Sequence, residues 1–562
     1  MIGQRPWARG LLVAALFLAL ALVATWPLAK DPAHLSPASL EDNDFRFNLY
    51  VIFWGAHALT TDPLNLHQMN MFYPERYTFA YSDMELSQSL LMLPVILVTN
   101  NPILTYNLLL IISICLGGIG FYLLALDLTG NRGAALFGAA IFIFNPAHFA
   151  RYQQIQLFSD NWMPWFAWAL LRWLREMAPE GDHRQATTSR RLWPLAAASF
   201  FCLQALSGAH PALFAAILGA AMVLYYGIVE ALWRRPPFWM GLLVMGLVSA
   251  AVLVPIFWPY MVVEKEMLPI RTAWLQLVRG SAAPPELLSA GSRLYRWLDN
   301  DVGWPTALFH RPPRTYLFPG LIPLVLAAVG AFSGNLRRHE DRLFWLLFFL
   351  LCLWLALGPY AGLYLLIEKM PVVRLIRVPS RIFLQAAFAL AALSAYGVAS
   401  LSGKLAGSSW RLSIFAALAL LFAIESLQAP LPTDSFTPGP APRHQFLAAQ
   451  PGDFAVVEFP LDPHDYTTSA RQIFNSIYHW KKLLVGYSGF QTRDNVRRLR
   501  RLNRKFPSDS CLNSLQRLDV KYVIVREDRL PAEILQALRH QPRLRLVFRA
   551  DETTGVYSLE RS

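Results

Sequence analysis

The chain alternates long apolar runs with short polar stretches. Runs of about 18 residues or more are long enough to cross a bilayer as helices. Eleven such segments are expected, at 10–28, 103–127, 134–150, 157–174, 192–208, 211–231, 238–259, 316–333, 343–360, 379–402 and 411–428. The stretch Glu85 to Val98 is apolar but shorter, and reads as an interfacial or re-entrant helix. After about Pro430 the pattern changes. "APLPTDSFTPGPAPRH" is a Pro-rich linker. "DFAVVEFP", "KYVIVR" and "LRLVFRADETTGVYSLE" then read as strands, the last as a hairpin. "RQIFNSIYHW", "NVRRLRRLNRKF" and "PAEILQALRH" read as helices. The expected fold is mainly α, a polytopic helical membrane protein with a small C-terminal α/β domain. Its parts are a transmembrane domain at 1–429, a linker at 430–445 and an outer domain at 446–562. No internal repeat of the transporter kind is visible.

Composition agrees with a membrane protein. The chain is 55% hydrophobic and 15% charged, against roughly 25% charged in soluble domains. A net charge of +13 could suit nucleic acid, but cytoplasmic loops of membrane proteins carry excess Lys and Arg, and no nucleic-acid partner is expected. With the N-terminus inside, the short inner loops hold Arg132; Arg175, Arg184, Arg190 and Arg191; Arg234 and Arg235; Arg337, Arg338 and Arg342; and Lys404 with Arg411. An odd span count then puts the C-terminus outside. Long outer loops run from about 29 to 102 and from 260 to 316. Arg5, Arg9 and the first apolar run could be a secretory signal. The run reaches Leu28 and ends in Trp26-Pro27, and reads instead as an uncleaved first helix. The four cysteines show no metal spacing and read as small buried hydrophobes.

Candidate chemistry gathers outside. "SLEDNDFRFNLYVIFW" carries Glu41, Asp42 and Asp44 ahead of Phe45, Leu49, Ile52, Phe53, Ala56 and Leu59, the spacing of an amphipathic surface helix. Asp44 is either the N-cap of that helix or a carboxylate that activates an acceptor or binds a cation. Asp42 is the next candidate. Asp83 and Glu85 precede the short apolar helix, and either could cap it or share a substrate or metal with Asp44, with Asp83 the favoured one. In "FNPAHFARYQQIQLFSDNWMPWF", His148, Arg151, Tyr152, Gln153, Gln154, Gln156 and Asp160 lie at a membrane edge. Gln154 or Gln156 is expected to face a cavity, unless the segment serves interfacial anchoring. Arg374, Arg377 and Arg381 in "MPVVRLIRVPSRIF", and Arg271, lie outside against the charge trend. They suit either a lipid-linked phosphate or anionic headgroups. No Gly-rich phosphate loop, zinc spacing or nucleophile elbow is present.

These features together resemble the C-type glycosyltransferases, multispanning enzymes that use lipid-linked sugars at the outer membrane face. Within them the chain is similar to a bacterial group of GT-C-like membrane proteins. The residues that carry the likeness are "EDNDFRFNLYVIFW", "MFYPERYTFAYSDMELSQSLLMLP", "RVPSRIFLQAAFAL", and "SIYHWKKLLVGYSGF" followed by "LDVKYVIVR". Position 154 is Gln where His is frequent in that group. The resemblance implies a multi-pass protein of the bacterial inner membrane that transfers a sugar from a polyprenyl-phosphate donor to a glycan, lipid or protein acceptor. It implies Asp44 as general base, an inverted anomer, and Arg377, Arg381 or Arg271 on the departing phosphate. His479 and Tyr487 of the tail would cover the acceptor, or else form a folding turn. A divalent metal, Mg or Mn, is expected only if Asp44 and Asp83 converge. A flippase for a lipid-linked saccharide and a non-catalytic binding protein of the same fold remain the other readings.

Overall fold

The computed structural model describes residues 6–178, 189–266, 274–310, 313–333, 339–362, 364–367, 378–489 and 491–560. Each of the eleven expected segments coincides with a helix, but several are shorter than expected. Among the described residues, four are long and apolar enough to cross a membrane: Pro102–Thr129, Ala209–Val229, Pro236–Val263 and Pro379–Lys404. This is a multi-pass membrane protein. The shortfall has local causes. The segment expected at 134–150 stops at Phe144, because the Asn145 side chain accepts from Ala147 N–H and opens a new short helix at Pro146. The segment expected at 157–174 becomes continuous helix only at Met163, where Pro164 sits in the first turn.

The chain forms two compact units. The first contains Met1–Asp31, Asn107–Val254 and Arg271–Pro432. At its centre lies the helix Phe383–Lys404, buried along its apolar window. It packs on helices Arg132–Phe144, Leu321–Phe332 and His339–Ala356. Two glycines permit the closest crossing. A Cβ at Gly330 would lie 2.0 Å from the Leu393 carbonyl oxygen, and one at Gly397 would lie 2.0 Å from that of Leu326. Small residues let membrane helices approach backbone to backbone in this way.

The second unit contains Pro32–Tyr106, Pro255–Ile270 and Thr433–Ser562, so the first long loop and the tail fold together. The tail sheet has the order β4-β3-β5-β7-β6. Here β3 is Ala455–Phe459, β4 Lys482–Leu483, β5 Val520–Arg526, β6 Leu544–Arg549 and β7 Thr554–Leu559. β3 runs parallel to β4 and β5, and its five residues are all buried, as an inner parallel strand requires. β7 runs antiparallel to both β5 and β6, closing the expected hairpin. The linker is not free: β1 (Leu35–Ser36) pairs antiparallel with β2 (Asp434–Ser435). The expected strands and helices of the tail all form. The helices Pro442–Ala449 and Asp509–Arg517 and the short β4 had not been expected.

One expectation is overturned. The helix after the acids, Asn43–Thr61, is not an amphipathic surface helix. Phe45 to Ala56 are all buried, including Arg46 and Asn48. Helices Leu86–Thr99 and Tyr466–Asn475 pack against it, and Phe45 meets the Tyr106 ring at 4.7 Å. The polar positions that the sequence assigns to solvent are covered by protein.

Candidate active site: the acid helix and its tail partner

The acid helix begins with a local division of labour between two carboxylates. Asp42, not Asp44, is the N-cap: its side chain accepts from the Phe45 N–H at 2.9 Å. Asp44 therefore sits in the first turn, where the helix dipole favours a negative charge, with its side chain free to turn outward. Tyr487 donates its phenol to Asp44 Oδ1 at 2.5 Å, a length typical of charge-assisted O–H···O bonds. Burial and the Asp44 contact push the Tyr487 phenol well above its ordinary range, so it stays a donor. The rings of Phe47, at 5.4 Å, and Tyr466, at 6.3 Å, both lie edge-on to the Tyr487 ring, which fixes the phenol's direction. Arg46 holds Glu41 at 3.0 Å.

The tail reaches Asp44 because its motif docks on the first long loop strand-fashion. Leu483 N–H donates to the Asn70 carbonyl, Tyr73 N–H to that of Leu483, and Phe72 N–H to that of Val485. Asn70 joins the two segments from its side chain. It accepts from Tyr50 at 2.6 Å and donates to the Lys481 carbonyl at 2.9 Å. Gly486 lies against the Phe72 ring, where a Cβ would come within 2.5 Å of it. Tyr487 follows at Asp44, and the Ser488 hydroxyl bonds the Tyr81 carbonyl.

Other sequence candidates of this unit fall in different places. Asp83 does not cap the helix Leu86–Thr99. Glu85 occupies that N-cap, at φ 43°, with no side-chain capping bond. Glu85 is 1% exposed, and burial, then the Asp83 charge, push its carboxyl well above the usual range. Beside Asp83, the Tyr260 hydroxyl donates to the Ser82 carbonyl at 2.8 Å. His479 is buried and stacks on His444 at 5.5 Å. Burial and nearby cations lower His479 to about 3 and His444 to about 2. Asp44 is paired with Tyr487, and among the described residues no three His, Cys, Asp or Glu side chains converge on one point. Among the described residues the donor set therefore builds no dedicated metal cage.

In the first unit, a second polar group forms around two arginines. Arg381 Nη1 lies 3.2 Å from His210 Nε2. Arg151 Nη1 donates to Gln154 Oε1 at 3.1 Å, and Nη2 reaches the Thr315 hydroxyl. Burial and the Arg381 charge lower Arg151 to about 10, which leaves it a cation at neutral pH. Arg151 thus meets neutral partners and a like charge, an arrangement that favours an anion. Gln156 is half-buried. His148 is 3% exposed and stacked on Phe158 at 4.8 Å. Arg271, Arg374 and Arg377 lie outside the described residues. In the sequence Arg151 stands as one of several polar residues at a membrane edge, with no role assigned to it. Its spacing of three from Gln154 was the available signal.

No family model matches this chain, and no curated protein matches it. Solved structures do resemble it. The oligosaccharyltransferase AglB of Archaeoglobus fulgidus, in complex with an inhibitory peptide and a dolichol-phosphate, is 12% identical with a TM-score of 0.47. The match covers 92% of this chain and 69% of that one. ArnT from Cupriavidus metallidurans bound to undecaprenyl phosphate is 12% identical with a TM-score of 0.46, covering 98% and 97% of the two chains. A further A. fulgidus oligosaccharyltransferase structure, a complex with Zn and sulfate, has a TM-score of 0.44 at 12% identity, covering 92% and 68%.

Proposed function

We propose that the protein is an integral membrane glycosyltransferase that moves a sugar from a polyprenyl-phosphate donor to an extracytoplasmic acceptor. The observation that carries this reading is the Asp44–Tyr487 pair: a carboxylate at a helix N-terminus, oriented by a phenol from the tail. Such a carboxylate, held on one oxygen, presents the other to a substrate proton. In the proposed step the acceptor hydroxyl or amide gives its proton to Asp44 Oδ2 while its heteroatom bonds to the anomeric carbon. The bond from that carbon to the donor phosphate breaks, and its electron pair leaves on the phosphate. Direct displacement inverts the anomer. A guanidinium is assigned to the phosphate charge, since a bidentate arginine stabilises a departing phosphate most directly. Asp83 is assigned to the acceptor side and Gln154 to orientation of Arg151. The setting is the bacterial inner membrane, with the tail outside.

The test uses the full chain in lipid with a panel of labelled polyprenyl-phosphate sugars. Release of polyprenyl phosphate with transfer of the sugar in inverted configuration is the expected outcome. Retained configuration would remove direct displacement. Movement of intact labelled lipid between leaflets, with no release, would replace the transferase by a flippase.

A further inference from the structure

Among the described residues, the helix Arg493–Lys505 of the tail is the most basic element. It carries seven basic residues, Arg493, Arg497, Arg498, Arg500, Arg501, Arg504 and Lys505, against one acid, Asp494. Thr492 caps it by accepting from the Asn495 N–H at 3.1 Å. Its inner face is settled: Asn495, Leu499 and Leu502 are buried, and Asn495 donates to the Leu484 carbonyl at 3.1 Å. Arg498 pairs with Glu75 at 3.1 Å, which fixes the helix to the first long loop. The rest of the charge points to solvent. Arg493, Arg501, Arg504 and Lys505 are exposed and have no acidic partner among the described residues. Arg497 stands 3.6 Å from Asp494 with three quarters of its side chain open, and Arg500 meets the His464 ring. Spaced at three and four residues, these cations form one stripe along a helix that rises about 20 Å from end to end. Packing does not explain a row of like charges, which repel one another.

We propose that this stripe is a docking surface for anionic phospholipid headgroups. Charge complementarity fixes the sign of the partner. The choice of a membrane rests on the unit that carries the helix. That unit also holds the apolar helix Leu86–Thr99, whose Leu97 and Val98 are 62% and 84% exposed. The Glu75 that anchors the basic helix lies in the loop leading to that helix. The stripe does not insert, because its apolar residues are already buried in the tail. It binds as a rigid electrostatic face, and salt weakens it.

Arginine footprinting of the full chain tests this. The protein is placed in nanodiscs of phosphatidylcholine alone, or of equal parts phosphatidylcholine and phosphatidylglycerol, and treated with phenylglyoxal. Labelling at Arg493, Arg497, Arg501 and Arg504 is expected to fall about five-fold in the anionic discs. It should recover at about 1 M salt, where the Debye length is about 3 Å. Labelling of exposed Arg539, on another helix of the tail, should not change. Equal labelling in both discs would overturn the proposal. So would protection by a soluble polyanion such as dextran sulfate without protection by anionic discs, which would assign the stripe to an acidic polymer.

Discussion

At the scale of single residues, the account turns on which carboxylate does which job. Asp42 is occupied by the Phe45 N–H and Asp44 by the Tyr487 phenol. One hydrogen bond to a charged group is worth roughly 1.5–3 kcal/mol. Tyr487→Phe should therefore lower kcat about ten-fold or more while leaving the KM for the donor within about two-fold. A change confined to KM would instead make Tyr487 a substrate contact. The sequence brought Asp44 and Asp42 to notice but left Asp44 open between N-cap and base, because a cap is set by where the helix begins, and boundaries are the least legible feature of a pattern. Glu85 and His479, two of the polar candidates in the sequence, are buried in the structure. A polar residue in an apolar run looks the same whether it lines a cavity or is packed in the interior.

Elements show why the tail and the first long loop hold together. The tail motif was legible as a motif, but not its register against residues 70–73, which depends on pairings across more than 400 positions of sequence. Gly486 reports that register. In Gly486→Ala, the new methyl would have to displace the Phe72 ring, and overpacking of this kind costs about 1–3 kcal/mol. Thermal unfolding of the variant in lipid should show a lower Tm, and an unchanged Tm would mean that the contact yields freely. The stacked pair His444 and His479 gives the same region a pH dependence. Their folded values, about 2 and about 3, lie below the ordinary 6.5. The unfolded chain therefore binds more protons in acid, and stability is greatest above about pH 6.5 and declines as pH falls toward 3. Melting of the native chain and of His444→Phe from pH 7 down to pH 4 checks this. The native Tm should fall with pH, and the variant's should fall less steeply; parallel curves would count against it.

At the scale of the whole molecule, composition and hydrophobic pattern were enough to read a multi-pass helical protein with a separate α/β sheet. They did not fix the helix ends, because apolar runs interrupted by Asn145-Pro146 or Pro164 look longer in sequence than the helices they form. Nor did the pattern show that one folded unit draws on three separate stretches of chain, since contact between distant segments leaves no periodicity behind. That discontinuous unit is what brings a tail tyrosine to an acid near the N-terminus. The most direct test of the proposed chemistry is sugar transfer by the full chain in lipid, native against Asp44→Asn, with the variant's thermal unfolding measured alongside. The account predicts a loss of at least a hundred-fold in kcat, the order expected for removing a general base, with Tm unchanged within a few degrees. Transfer at the native rate by a well-folded Asp44→Asn protein would contradict it.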